Sequence, residues 1–167
     1  MTTAARPHGG FHSVLEQDHP YIFIDSCMQM WPDADIPVLQ MTMPANLSNE
    51  DLFQLGQQLR PLRDEGILII GAGTLTHNLR AFRPDVLDTP DWAQAFDDWV
   101  VATLDAGDRD ALLQWQERAP QAKQNHPTPE HFRPLLIAAG AGDGDVVSYP
   151  MTGFEFGSFS MRSVRFG

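Results

Sequence analysis

The residues of this chain with the most chemistry in them are six histidines and a single cysteine. Two of the histidines stand in informative places. His77 follows Gly71-Ala72-Gly73-Thr74-Leu75-Thr76, a glycine-bearing turn at the end of a short apolar run. In open α/β sheets, ligand sites lie outside the carboxyl ends of the strands, and glycines there let the backbone approach a ligand. His131 stands in His126-Pro127-Thr128-Pro129-Glu130-His131-Phe132. Thr128 as a cap and Pro129 at the first helical position predict a helix start, with His131 in its first turn. The positive end of a helix disfavours imidazolium and favours the neutral ring that a metal needs. Alternatives stay open at each position. His77 can be a turn residue bonded to the backbone, and the Gly-Ala-Gly turn lacks the rest of a nucleotide fingerprint. Glu130 can simply complement a helix dipole, and His126 reads as a surface loop residue. His77 and His131 are far apart in sequence and form no local zinc motif, so spacing alone does not bring them together.

The lone cysteine, Cys27, can make neither an internal disulfide nor a Cys-rich zinc site. It lies in the apolar stretch Ile22–Met30 with no basic neighbour to activate it, and reads as a buried, inert thiol.

The elements that must position the histidines follow from periodicity. Ile36–Met43 and Gly66–Ala72 are short apolar runs bounded by proline or glycine, the pattern of interior strands. Between them Ser48 and Asp51 form a capping-box variant, and Leu52, Leu55, Leu59 and Leu62 recur on one helical face. Strand, helix and strand make a βαβ unit, which predicts a parallel sheet covered by helices. Further helices are expected over Asp91–Leu104, with Trp92, Ala95, Phe96, Trp99 and Val100 on one face, over Asp108–Glu117, and over Glu130–Ala139. A turn at Gly142–Asp145 and closing strands at Val146–Pro150 and Phe159–Phe166 complete the reading. Residues 1–30 fit less well. They carry His8, His12 and His19 but show no clear apolar period.

Composition narrows the function classes. The 167 residues are enough for one domain, and 43% hydrophobic residues are enough for a core. A net charge of −11, with lysine only at Lys123, argues against nucleic acid as a partner. No apolar run approaches the ~20 residues of a membrane span. No secretory signal core is visible in Met1–Gly10. The expectation is a cytoplasmic protein with no membrane partner.

Four collinear segments carry a family resemblance. They are Trp31–Ser48 (WPDADIPVLQMTMPANLS), Leu59–Arg80 (LRPLRDEGILIIGAGTLTHNLR), His126–Ala141 (HPTPEHFRPLLIAAGA) and Gly157–Gly167 (GSFSMRSVRFG). Together they resemble the DOPA 4,5-dioxygenase family, among the class III extradiol aromatic-ring-opening dioxygenases. The resemblance implies a three-layer α/β/α sandwich with a mostly parallel or mixed sheet. It implies a non-haem Fe(II), or zinc as in some bacterial members, and a catechol-type substrate opened with O2. His77 matches the metal-site histidine of the family's "THNLR" segment, and His131 that of "PEH". His126 matches a position that need not be histidine.

The family's N-terminal half supplies two further metal-site histidines, in "GHGSP"-like and "SAHW"-like segments that are not found here. The expectation is therefore residues 1–167 as a single catalytic-type domain, truncated at its N-terminus and atypical over 1–30. A later family motif, "DHG" followed after one residue by Trp or Phe, supplies a proton-handling histidine. His8 in His8-Gly9-Gly10-Phe11 resembles its core, with Pro7 in place of the Asp. His19 in Asp18-His19 resembles the other half, with Pro20 in place of the Gly. His8 and His19 are thus the catalytic candidates. An alternative is a truncated or degenerate member, inactive alone, acting as a metal-binding subunit or completed by a partner such as a second copy.

Overall fold

In the computed structural model, residues 11–13, 30–33, 35–86 and 88–167 are described. The fold is mixed α/β, and the chain divides into two compact units, Met1–Pro44 and Ala45–Gly167. In the first unit, strands β1 (Phe11–Ser13) and β2 (Val38–Gln40) pair in parallel, with Phe11 opposite Val38 and Ser13 opposite Gln40. The Ile36–Met43 run therefore contributes a strand, but a shorter one than its apolar pattern suggests.

The second unit is built on helices. Helix α1 (Asn49–Leu59) starts where the sequence predicts. The Ser48 side chain accepts from the Asp51 N–H, and the Asp51 carboxylate accepts from the Ser48 N–H. Pro61 opens a separate short helix, α2 (Pro61–Asp64). Helix α3 (Asp91–Asp105) is followed by three short ones, α4 (Arg109–Leu113), α5 (Trp115–Arg118) and α6 (Ala122–Asn125). Helix α7 (Arg133–Ala141) carries Pro134 in its first turn, where a missing N–H costs no hydrogen bond. Two small antiparallel pairs complete the unit. Strand β3 (Val147–Ser148) pairs with β6 (Arg165–Phe166), and β4 (Phe154–Glu155) with β5 (Phe159–Ser160). No helix among the described residues is long and apolar enough to cross a membrane.

The core lies between α1, α3 and α7. Leu52, Phe96, Val100, Trp115, Phe132 and Leu136 are essentially inaccessible to solvent. Trp115 and Phe132 meet at 4.4 Å between ring centroids, and Phe96 closes on Phe132 edge-on at 5.7 Å. Each such ring contributes about 1.5–3 kcal/mol by leaving water. Helices α1 and α7 cross at glycine, since a Cβ on Gly140 would stand 2.0 Å from the Phe53 carbonyl oxygen. The buried face of α3 is rotated from the expected one. It is Ala93, Phe96, Asp97, Val100, Thr103 and Leu104, with Trp92 and Trp99 only half-buried. A carboxylate sits on the inward face because an ion pair receives it.

The largest departure concerns Gly66–Ala72. This run forms no strand among the described residues, so the βαβ unit is not assembled there. Ile67, Leu68 and Ile70 are exposed, Leu68 to 70%. The run lines one wall of a groove of about 690 Å³ whose other wall includes Leu135, Ala138 and Met161, with His131 among the lining residues. Phe159–Phe166 also divides, its ends joining two different strand pairs. An apolar run reports preference for burial but not the partner that buries it, and β-pairing depends on that partner.

Candidate metal centre

The two histidines singled out by sequence come together. The rings of His77 and His131 stack at 3.5 Å between centroids, tilted by 20°. Backbone contacts between their segments bring them there. The Thr74 N–H donates to the His131 carbonyl at 3.0 Å, and the His77 N–H donates to the Asn125 carbonyl at 2.9 Å. Gly73 makes this approach possible, because a Cβ on it would lie 2.2 Å from the His131 carbonyl oxygen. The glycine-bearing turn thus accommodates the backbone of the other histidine segment.

His131 is not in the first turn of a helix. Helix α7 begins at Arg133, and His131 lies in the turn before it. Thr128 does not cap that helix, since its hydroxyl donates to the Glu130 carboxylate at 2.6 Å. Proline at two places explains the shift. Pro134 supplies the helix start that Pro129 was expected to supply. The depressed pKa of His77 rests on other causes. Burial first, and then the neighbouring His131, hold the His77 ring below its ordinary pKa. The Glu130 carboxylate lies 4.0 Å from His131 Nε2. Burial pushes Glu130 up, but the Thr128 hydroxyl, a backbone hydrogen bond and the two histidines outweigh it and hold the group below its usual value.

His126 is buried, not a surface loop residue. Its ring lies among Phe96, Trp115 and Phe132, and its Nε2 donates to the Leu75 carbonyl at 2.7 Å. Burial, the largest effect, drives its pKa down to about 4, with the backbone hydrogen bond opposing and the other two histidines adding. His126 therefore ties down the turn from below while His77 and His131 face outward.

A polar network that sequence reasoning missed holds the same turn from another side. The Thr76 hydroxyl donates to the Ser158 carbonyl at 2.6 Å and accepts from the Ser160 N–H at 2.7 Å. The Ser160 hydroxyl donates to Asp97 at 2.6 Å. Arg162 closes the network with two hydrogen bonds to the other Asp97 oxygen, at 2.8 and 2.6 Å. Asp97 is 1% exposed and Arg162 14%. A low dielectric strengthens such bonds, and the ordering of a buried carboxylate by arginine and serine is costly to lose. The available signal was an aspartate on the apolar face of α3, matched with polar residues in an otherwise apolar C-terminal segment.

Of the other candidates, His8 and His19 lie outside the described residues, as does Cys27. The arginines near the histidine motifs are mostly engaged. Arg133 donates to the Ala45 and Leu47 carbonyls, and Arg83 to the Arg80 and Phe82 carbonyls. Arg80 remains exposed.

Two imidazoles side by side match the donor type of a divalent transition ion such as Fe(II) or Zn(II). Among the described residues, no three His, Cys, Asp or Glu side chains gather as a metal-holding set. The described residues thus fit such an ion in donor type, with two adjacent imidazoles.

The chain is similar to known proteins over most of its length. Residues 24–167 match a family described as the catalytic LigB subunit of aromatic ring-opening dioxygenase. The chain is 39% identical to 4,5-DOPA dioxygenase extradiol of Beta vulgaris, over 83% of this chain and 52% of the relative. It is 37% identical to 4,5-DOPA dioxygenase extradiol of Escherichia coli strain K12, over 84% of this chain and 53% of the relative. The chain thus spans about half the length of these curated relatives. A crystal structure of an uncharacterized Escherichia coli K12 protein superposes with a TM-score of 0.76 at 34% identity, covering 84% of this chain and 59% of that one. The chain belongs to the family of the catalytic LigB subunit of aromatic ring-opening dioxygenases.

Proposed function

We propose that this chain contributes to an extradiol dioxygenase that opens a catechol-type ring with O2, with His77 and His131 as two ligands of Fe(II), or of zinc. The observation that carries this reading is the stacked pair itself, assembled from distant segments in a chain of this family. The reading includes the three-layer α/β/α sandwich implied by the family resemblance, with residues 1–167 as one catalytic-type domain.

Bound Fe(II) would supply Lewis acidity and a route for electrons between diol and O2, whereas zinc would supply Lewis acidity alone. The chain's residues do the rest. His77 and His131 offer imidazole nitrogen donors from the open side of the 75–77 turn. Glu130 places negative charge beside His131 and favours a cation there. Thr76, Ser160, Asp97 and Arg162 hold the turn so that the donors keep their places. His8 or His19 takes the proton-shuttle role in this proposal.

Anaerobic loading with Fe(II), followed by a catechol in air, tests it. A yellow semialdehyde chromophore is expected, and no absorbance change with any of several catechols contradicts catalysis by this chain. The two-donor set among the described residues favours a second reading, a metal-binding subunit completed by a partner, including a second copy. Size-exclusion chromatography with metal analysis separates the two. A metal-replete monomer excludes the second, and metal only in an oligomer supports it.

A further inference from the structure

Beside His77 stand three phenylalanines that the metal centre does not use. The Phe159 ring meets His77 edge-on at 5.8 Å. Phe82 meets Phe159 at 5.9 Å and 88°, and Phe156 meets Phe82 at 5.0 Å. They come from separate places, the segment after the Leu79–Ala81 turn of 3-10 helix, the β4–β5 hairpin loop and β5. The Arg83 N–H donates to the Phe156 carbonyl at 3.1 Å and ties the first two together. The cluster is not a closed core, since Phe82 is 40% exposed and Phe156 43%.

The Phe156 backbone is the second observation. It has φ of 52°, in the left-handed region, followed by Gly157 at 81°. A side chain with a Cβ costs about 1–2 kcal/mol there, and glycine or asparagine would meet the same turn at lower cost. Burial does not offset this cost fully, because the ring is nearly half exposed. Strain kept at a bulky residue beside a site points to a role for the side chain itself.

Resting on the metal-centre reading, we propose that Phe82, Phe156 and Phe159 form the wall on which a planar aromatic ring stacks while its hydroxyls face His77 and His131. The three rings offer no hydrogen bonds, so the wall selects flatness and π character, not substituent pattern. Phenyl rings favour offset or edge-on contact with another aromatic ring, and a saturated ring gains only apolar contact. Phe156 contributes the exposed outer face and, held by its turn, needs little ordering when the ligand arrives.

The test uses the full chain without metal, titrated calorimetrically with catechol and with cis-cyclohexane-1,2-diol, which keeps adjacent hydroxyls on a saturated ring. The wild-type chain is expected to prefer catechol, and Phe82→Leu and Phe156→Leu each to cut that preference roughly three- to tenfold, the scale of one aromatic pair. Phe156→Gly, whose backbone accepts positive φ without strain, is expected to lose the preference too. It serves as a folded counterpart should the leucine disturb the turn. Equal affinity for the two diols in the wild-type chain overturns the proposal, as does a preference that survives in Phe82→Leu and in both Phe156 variants. Repeating the titration with Fe(II) under nitrogen separates this from the metal reading. If catechol preference depends on the phenylalanines but metal adds nothing and His77→Ala and His131→Ala change nothing, the wall stands and the metal centre falls. If metal tightens catechol through the histidines and the phenylalanine variants match wild type, the reverse holds.

Discussion

The 75–77 turn has a buried side and an open side, and histidine occurs on both. On the buried side His126 is 4% exposed, bonded to the Leu75 carbonyl and packed among aromatic rings. On the open side His77 and His131 stack on each other, with 39% of the His131 side chain exposed. The same residue type is structural where its nitrogen is spent on a carbonyl and available where it faces solvent and another imidazole. Burial and hydrogen bonding separate these two environments, and residue type alone does not.

The largest effect is expected on the buried side. Asp97→Asn leaves the partly buried Arg162 guanidinium without its charged partner, at a position where Asp97 itself is closed to water. The expected loss is about 3–5 kcal/mol of unfolding free energy, read from denaturant melts. A loss below ~1 kcal/mol breaks the view that this network holds the turn.

Next comes Gly73→Ala. The added Cβ overlaps the His131 carbonyl, so the two histidine segments must move apart. About 1–3 kcal/mol of stability is expected to go, typical of overpacking, together with weakened Fe(II) or Zn(II) binding. Stability lost with metal affinity intact would show that the close approach matters to packing alone.

The pH dependence sharpens the contrast further. The His126 ring is held to about 4 in the fold, against 6.5 in an unperturbed histidine. Between these values the unfolded chain binds the extra proton and the folded chain does not. Stability is therefore fully kept above pH 6.5 and falls as pH drops toward 4, by up to ~1.4 kcal/mol per unit. His126→Gln should lower stability at pH 7 by about 1–3 kcal/mol if the Leu75 carbonyl loses its donor. It should also flatten that part of the pH profile. An unchanged pH profile contradicts the buried assignment.

The smallest stability effect is expected on the open side. His77→Ala and His131→Ala should each alter metal-free stability by about 1 kcal/mol or less, since both rings are half-buried. A core-sized loss in either would erase the distinction between the two sides.

Much of this was legible in the sequence. Both open-side histidines were found from their segments, and the Ser48–Asp51 box marked the start of α1. The start of α3 was equally clear, where Pro90 and Asp91 meet. Other features depend on distant residues. Asp97 lies on an apolar face only because Arg162 and Ser160 reach it from the C-terminal segment. His126 is buried because Trp115 and Phe132 close over it. The run Ile67–Ile70 has the composition of an interior strand, yet no strand among the described residues pairs with it. Local pattern encodes helix starts well because caps are local, whereas burial of a polar group is decided by its partner.

The account's central claim is that the open pair binds metal. Calorimetric titration of the wild-type chain, His77→Ala and His131→Ala with Zn(II), and with Fe(II) under nitrogen, tests it most directly. Each single variant is predicted to lose at least about tenfold in affinity, the low end of what removing a group from a metal site costs. Unchanged affinity in both variants would contradict the claim.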